Sequence, residues 1–191
     1  MYITQIKLDT RNHQIFKKLR SLDDYHAYIE SAFPAEQLLG MRKRHLWRLD
    51  GQNVLLTSED EPDKEALGKY GEVIIKNYSK FVENISSTRP YQFKLVANPL
   101  QMDIKNRRIP CHGNNERLEW LKNQGARYGF KVIQVQVANY KENKIRKHGF
   151  TVKSVTFEGI LQVTDIEKFK QALMQGIGRE KAYGCGMMTI M

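Results

Sequence analysis

Residues 176–191 read Gly176-Ile-Gly-Arg-Glu-Lys-Ala-Tyr-Gly-Cys-Gly-Met-Met-Thr-Ile-Met191, two Gly-x-Gly pairs with two cations between them. Glycine adopts positive φ without the steric penalty of a Cβ, so paired glycines let the backbone approach another group closely. Arg179 and Lys181 favour an anion, most simply a phosphate, as that group. A helix C-cap followed by a turn would use the same glycines, so this segment alone leaves both interpretations open.

An amphipathic helix is predicted directly before the glycine segment. Thr164-Asp-Ile-Glu167 has the spacing of a capping box, and apolar residues recur at helical intervals from Ile166 to Met174. Gly176 then occupies the position at which a left-handed C-cap residue is common. The order of elements here is therefore helix, glycine loop and final strand.

The first hundred residues alternate between strand and helix patterns. Asp50-Gly51 is a strong signal for a hairpin turn, Ser21 with Asp24 three residues later predicts a helix N-cap, and Pro99 ends the last strand. The predicted elements are a strand at 2–8, two helices between 12 and 33, strands at 45–49 and 54–57, a weakly periodic helix at 62–81 and a strand at 91–97. This β-α-β-β-α-β order is that of the ferredoxin-like fold.

The second half repeats the pattern without repeating the sequence. Its predicted elements are a short strand at 108–110, a helix at 115–126, strands at 133–137 and 155–163, the capped helix from residue 164 and a strand after residue 184. The predicted fold class is therefore α+β, with two tandem ferredoxin-like domains at residues 1–98 and 99–191. The linker between them is short and not of low complexity, so the two domains should pack closely.

Composition indicates a polyanionic partner. The 191 residues are 41% hydrophobic, enough for folded cores, and carry a net charge of +10. Cys111 and Cys185 are the only cysteines and have no metal-ligand spacing, which fits a reducing cytoplasm. No run approaches the length of a transmembrane helix and no signal peptide is apparent, so we expect a cytoplasmic protein with no membrane association.

A cationic segment separates two predicted strands of the second half. Between Tyr140 and Phe150 it carries one acid, Glu142, and a majority of cations, and a further lysine follows. The cations of this predicted hairpin are Lys141, Lys144, Arg146, Lys147 and Lys153. Lysine-rich turns often only keep sheet edges soluble, but the flanking aromatics and the overall charge favour contact with nucleic acid.

His26 is the candidate for chemistry. The chain has no zinc-ligand cluster, no Lys-Ser/Thr ending on its glycine segment for an NTPase, and no serine-nucleophile signature. His26 lies on the otherwise apolar face of a predicted helix, with Asp23 at i−3 and Glu30 at i+4 able to reach it. A buried structural histidine would occupy the same position, so the residue pattern alone leaves its role open.

Several segments, taken in their order and spacing, resemble the CasE-type CRISPR-associated endoribonucleases, the precursor-RNA processing subunits of type I-E systems. The resemblance covers nearly the whole chain. The segments are Met1-Tyr-Ile-Thr4, Leu22-x3-His26-x7-Pro34, Phe93-Lys-Leu-Val-Ala-Asn-Pro99, Glu119-Trp-Leu121, Phe157-Glu-Gly159 and Gly176-Ile-Gly-x2-Lys-Ala-x-Gly-Cys-Gly186.

This resemblance implies an enzyme that binds the CRISPR repeat stem-loop in precursor crRNA and cuts at its 3′ base. It further implies cleavage without metal or cofactor, 2′,3′-cyclic phosphate and 5′-hydroxyl ends, and retention of the product with the other subunits of the surveillance complex. His26 matches the family's catalytic histidine. The family's tyrosine three residues earlier is Asp23 here, so Tyr25 becomes a candidate for the auxiliary role. Together with the hairpin cations, the expected RNA-binding residues are Gly176, Gly178, Arg179, Lys181, Gly184 and Gly186.

Two alternatives stay open. One is a non-catalytic RNA-binding subunit of the same fold, in which His26 is only structural. The other is a small metabolic enzyme of ferredoxin-like fold, such as an acylphosphatase, although the chain lacks the Gly-x-Val-Gln-Gly-type loop of that chemistry.

Overall fold

The computed structural model describes residues 1–40, 43–145 and 148–191. Two of the predicted RNA-binding residues, Arg146 and Lys147, lie outside the described residues. The strands are β1 (Tyr2–Leu8), β2 (Leu46–Asp50), β3 (Asn53–Ser58), β4 (Gly71–Asn77), β5 (Pro90–Ala97), β6 (Leu100–Met102), β7 (Arg108–Pro110), β8 (Phe130–Ile145), β9 (Phe150–Val163) and β10 (Met188–Ile190). The helices are α1 (His13–Lys18), α2 (Leu22–Glu30), α3 (Pro34–Leu38), α4 (Lys64–Gly68), α5 (Ser79–Glu83), α6 (Asn114–Tyr128) and α7 (Ile166–Gln175), with a 3₁₀ turn, η1, at Lys181–Tyr183.

Two antiparallel sheets of four strands organise the described chain. The first has the strand order β2-β3-β1-β4 and the second has the order β10-β5-β9-β8. Within each sheet the first strand of the unit lies between its third and fourth strands, which is the arrangement of the ferredoxin-like fold. The predicted fold class, two tandem ferredoxin-like units, is therefore confirmed.

The pairing of the strand at residues 91–97 corrects the sequence analysis. We predicted that this strand completes the first sheet, but β5 pairs with β9 and β10 in the second sheet. The first sheet is completed instead by β4, which lies inside the segment predicted as a weak helix. The strand at 108–110 exists but pairs with β6 in a separate two-stranded sheet. The division between the two large sheets therefore falls between Asn77 and Pro90, one strand earlier than the predicted boundary at residue 98.

The helix caps position the elements that carry the candidate site. Ser21 accepts a hydrogen bond from the Asp24 amide, and the Asp24 carboxylate accepts one from the Ser21 amide, so the predicted capping box starts α2. At α7 the cap is Asp165, one residue later than predicted, and its carboxylate accepts from the Lys168 amide.

A buried arginine joins the two units. Arg48 on β2 is only 3% exposed, and its guanidinium donates to the Lys94 carbonyl at 3.1 Å and to Thr189 Oγ1 at 2.9 Å. Asp50, on the same strand, accepts from Lys94 Nζ at 2.9 Å. These contacts hold the first sheet against β5 and β10 of the second, as the short linker predicts. Within the described ranges, no helix has the length and apolar composition that crossing a membrane would require.

Candidate active site and nucleic-acid interface

His26 lies where α2 of the first unit meets the glycine loop of the second. Its side chain is 24% exposed, and Nδ1 lies 3.8 Å from Glu30 Oε1, one helical turn later. The centroid of its ring is 6.5 Å from that of Tyr183 in η1, and the two rings are tilted by 51°. The imidazole is therefore neither sealed in a core nor remote from the second unit.

A buried histidine, His45, holds the Glu30 carboxylate next to the His26 ring. His45 Nδ1 lies 3.1 Å from Glu30 Oε1, and His45 Nε2 lies 3.2 Å from Glu36 Oε1. The His45 ring also stacks on Phe33, with centroids 3.6 Å apart. This arrangement fixes the Glu30 carboxylate on the Nδ1 side of His26.

Two tyrosines near α2 have different surroundings. The Tyr25 ring is stacked on Trp47, with centroids 6.0 Å apart, and burial raises the pKa of its hydroxyl. The phenol beside His26 is Tyr183, which the sequence analysis did not single out although it lies within the quoted glycine segment. Burial, and then the carboxylates of Asp23 and Glu180, raise the pKa of Tyr183, so this phenol keeps its proton at neutral pH. A catalytic role for Tyr25 stays a prediction.

The four glycines of the loop approach protein atoms. All four have positive φ, from 75° at Gly184 to 88° at Gly186. A Cβ on Gly176 would lie 2.6 Å from Leu46 Cδ2, and one on Gly184 would lie 3.1 Å from the Trp47 ring. Gly176 and Gly184 therefore approach β2 of the first unit, whereas a Cβ on Gly178 would lie 3.0 Å from the Trp120 ring of α6. Contact between the glycines and RNA stays a prediction.

The backbone of Gly176 differs from the predicted left-handed cap. Its φ is 76° but its ψ is 158°, which lies outside the left-handed helical region and is essentially accessible only to glycine. Its amide still donates to the Ala172 carbonyl and so ends α7. The loop then turns sharply toward the first unit, which brings η1 against α2.

The cationic segment belongs mostly to a two-stranded β-ribbon, which is formed by the end of β8 and the start of β9. We call it the basic ribbon. β8 continues to Ile145 and β9 begins at Phe150, so Lys141, Lys144 and Lys153 lie on strands instead of in a loop. The pairing of Glu142 with Lys153 and of Lys144 with Thr151 puts Lys144 and Lys153 on one face, and Lys141 on the other. Lys153 Nζ lies 3.4 Å from Glu142 Oε1, whereas Lys141 and Lys144 are exposed.

The ribbon ends beside the candidate active site. The Phe150 ring meets the Tyr183 ring edge to face, with centroids 5.4 Å apart. His26, Tyr183 and Phe150 therefore form a row that runs from α2 across the glycine loop to the end of the ribbon.

The remaining predicted cations, Arg179 and Lys181, line a cavity on another side of the glycine loop. Three arginines that the sequence analysis missed line the same cavity: Arg44, Arg108 and Arg127. No local signal could have found them, because they come from three segments that are far apart in the chain. Among the residues that the structure describes, no group of three or more His, Cys, Asp and Glu side chains could hold a metal ion.

Comparisons with known proteins give this geometry a context. Over its full length the chain is 25% identical to the CRISPR-associated endoribonuclease Cse3 of Thermus thermophilus, which it covers to 99%. It is also 27% identical to the CRISPR system Cascade subunit CasE of Escherichia coli K12. This match covers 74% of the chain and 75% of that relative.

Solved structures agree with these sequence relatives. Thermus thermophilus Cse3, bound to an RNA that represents a pre-cleavage complex, superposes with a TM-score of 0.88 at 25% identity and covers 100% of this chain and 98% of its own. Cas6e of Escherichia coli shares the fold, with a TM-score of 0.75 at 22% identity. The match covers 100% of this chain and 98% of Cas6e. The sequence model of a family described as CRISPR associated protein matches residues 1–191. The chain therefore belongs to this family of CRISPR-associated proteins.

Proposed function

We propose that this protein is an endoribonuclease that binds the repeat stem-loop of precursor CRISPR RNA and cuts it at the 3′ base of the stem. The observation that carries the proposal is the position of His26, partly exposed beside Tyr183 and next to the end of the basic ribbon. The Thermus relative, an endoribonuclease that has been solved with a pre-cleavage RNA, supports it.

The reaction is an attack of the upstream 2′-oxygen on phosphorus, which breaks the bond from phosphorus to the 5′-oxygen. One proton leaves the 2′-hydroxyl and one reaches the departing 5′-oxygen, so the products are a 2′,3′-cyclic phosphate and a 5′-hydroxyl. His26 carries one of these protons, a role that typically supplies ~10²–10⁴ in rate. Glu30 lies on the Nδ1 side of the ring and orients it for this proton transfer. No step uses a metal ion.

Tyr183 supplies the second group. Its phenol stays protonated and can donate a hydrogen bond to a non-bridging oxygen of the phosphorane, where negative charge develops. The cations of the ribbon hold the stem backbone in line for attack, and their contacts to the stem are not broken by the cut. The product therefore stays bound, and we extend this to assembly with other subunits of a type I-E surveillance complex in the cytoplasm. The Escherichia coli relative named as a Cascade subunit supports this extension.

Cleavage of a repeat hairpin in EDTA tests the proposal. His26→Ala should abolish cleavage and leave the affinity for the hairpin unchanged, whereas His13→Ala, at an exposed histidine of α1, should change neither. Mass analysis of the product ends should find the cyclic phosphate, and a 2′-deoxy nucleotide upstream of the cut should block the reaction. Tight binding without cleavage would favour the non-catalytic subunit. Weak RNA binding that does not respond to salt would favour the metabolic enzyme.

A further inference from the structure

The glycine loop has different surroundings on its two sides. On one side, Tyr183 packs against His26 and Phe150. On the other side, Lys181 borders a cavity formed between the loop, α6 and the two-stranded sheet of β6 and β7. We call this the arginine cavity. Its lining includes Arg44, Asn98, Arg108, Arg127, Arg179 and Lys181.

Like charges crowd this cavity. Five of its described lining residues are cations, and Glu180 is the one acid among them. Burial, and then the charges of Arg44 and Arg127, lower the pKa of Lys181. Clustered cations repel one another, and Glu180 offsets only one of the five positive charges. A bound polyanion would remove this cost, so the cavity has the electrostatics of an anion site.

Asn98 makes the cavity more specific than a phosphate site. Its side chain is 5% exposed, and its Oδ1 has no hydrogen-bond partner among the described residues. A buried carbonyl oxygen needs a donor, and a ribose 2′-hydroxyl or a base N–H can supply one, whereas a phosphate dianion cannot. The rings of Trp120 and Tyr128 also line the cavity and offer apolar surface to a base. Cations for phosphates, an acceptor for sugar or base, and aromatic rings together fit single-stranded RNA.

The loop that forms the rim is held in a strained conformation. Glu180 has a φ of 58° and a ψ of 38°, a left-handed conformation that non-glycine residues adopt only when their surroundings impose it. The Tyr183 amide donates to the Glu180 carbonyl at 2.9 Å, and the Cys185 amide does so at 3.3 Å. Lys181 Nζ donates to the Gln175 carbonyl at 2.6 Å. The cationic rim is therefore fixed in place before any ligand binds, which lowers the entropic cost of binding.

We infer that the arginine cavity binds the single-stranded RNA that continues 3′ from the cut site. This inference rests on the proposed function and names the part of the substrate that each side of the loop takes. The ribbon end lies on the Tyr183 side and holds the stem, so the strand that leaves the scissile linkage crosses η1 and enters the cavity. The cavity then holds the leaving strand, and the retained stem-loop product does not occupy it.

A cycle of protein and RNA variants tests this inference without using cleavage. The RNAs carry a 2′-deoxy nucleotide at the cut site and have the stem-loop alone, the stem-loop with a 3′ flank, or the stem-loop with a 5′ flank. The proteins are the wild type, Arg108→Glu and Arg127→Glu, with Lys69→Glu on the first unit as the charge-matched control. All three substituted residues are exposed, so the variants should fold, and their urea midpoints check this. The dissociation constant of each pair is measured over a range of salt concentrations.

Arg108→Glu and Arg127→Glu should each weaken binding of the 3′-flanked RNA about tenfold or more, and should leave binding of the stem-loop alone unchanged. The slope of log K against log salt should fall by ~0.7 for each single-strand phosphate contact that is lost. Equal weakening for every RNA, weakening confined to the 5′-flanked RNA, or no weakening beyond that of Lys69→Glu would overturn the inference. Because the RNAs are not cut, these results are independent of the His26→Ala experiment. The proposed function can therefore stand where this inference fails, and the reverse also holds.

Discussion

Replacing Gly176 by alanine should lower the free energy of unfolding far more than the same replacement at Gly51. Gly176 has a φ of 76° and a ψ of 158°, and an added Cβ would lie 2.6 Å from Leu46 Cδ2. Gly51, in the hairpin turn between β2 and β3, also has positive φ at 61°, but no atom lies within 4 Å of its added Cβ. Both substitutions therefore strain the backbone, and only the one at Gly176 also forces the two units apart.

The expected magnitudes follow from these two contributions. A non-glycine residue in the left-handed region costs about 1 kcal/mol, and this is the whole cost expected for Gly51→Ala. The glycine-only region of Gly176, together with overpacking against Leu46, should cost about 3 kcal/mol or more. Leu46→Ala removes the atom that the new methyl group would meet. The double variant should therefore be more stable than the sum of the single effects predicts, by about 1 kcal/mol.

Urea unfolding followed by tryptophan fluorescence measures these differences. The chain has two tryptophans, Trp47 and Trp120, and each lies against a glycine of the loop, so fluorescence reports directly on this region. Midpoints and slopes are compared for wild type, both glycine variants, Leu46→Ala and the double variant. If Gly176→Ala were no more destabilising than Gly51→Ala, or if Leu46→Ala gave no relief, the glycine loop would not be packed as described.

Substitutions at Tyr183, Asp50 and His45 give three further predictions. Tyr183→Phe should lower the cleavage rate about 10²-fold with unchanged affinity for the hairpin, whereas Tyr25→Phe should have a much smaller effect; equal effects would contradict the role of Tyr183. Burial raises the pKa of Asp50, but the hydrogen bond from Lys94 and a neighbouring guanidinium outweigh it and hold that pKa below its ordinary value. The ionised Asp50 carboxylate therefore stabilises the fold fully above its unfolded pKa of about 3.9, and this stabilisation is lost as the pH falls through the lower folded pKa. Below about pH 4, the free energy of unfolding of Asp50→Asn should fall less steeply with pH than that of the wild type. His45→Ala removes the shared partner of two carboxylates and should cost about 3 kcal/mol in urea unfolding; a cost under about 1 kcal/mol would mean that the carboxylates are not held by the ring.

Local signals predicted the elements better than they predicted the pairing. The capping box at Ser21, the turn at Asp50-Gly51 and the period-2 strands were predicted correctly, because each depends on residues a few positions apart. Strand β4 was missed because Val73, Ile74 and Ile75 are consecutive apolar residues between two short helices, a run that does not alternate. β5 was assigned to the wrong sheet because its pairing with β9 depends on contacts 58 to 72 residues away in sequence.

In the candidate site, too, local features were visible in the sequence and long-range contacts were not. His26 and the cations of the glycine loop could be predicted, because each stands out within a short segment. The contact of Glu30 with His45 could not, because it requires knowing how the chain returns after α3. The arginine cavity was missed for the same reason, since its cations are brought together only when the second sheet is assembled.

His26 and Tyr183 lie side by side but come from different ferredoxin-like units. The imidazole of His26 is encoded in the first thirty residues and the phenol beside it at residue 183, so neither ferredoxin-like unit contains both side chains of the proposed reaction centre. A fragment that ends near residue 80 would retain the histidine and lose its neighbour, even if it folded perfectly. Under the proposed function, cleavage therefore depends on how the two halves are aligned, and a mutation that shifts one half relative to the other should lower the cleavage rate.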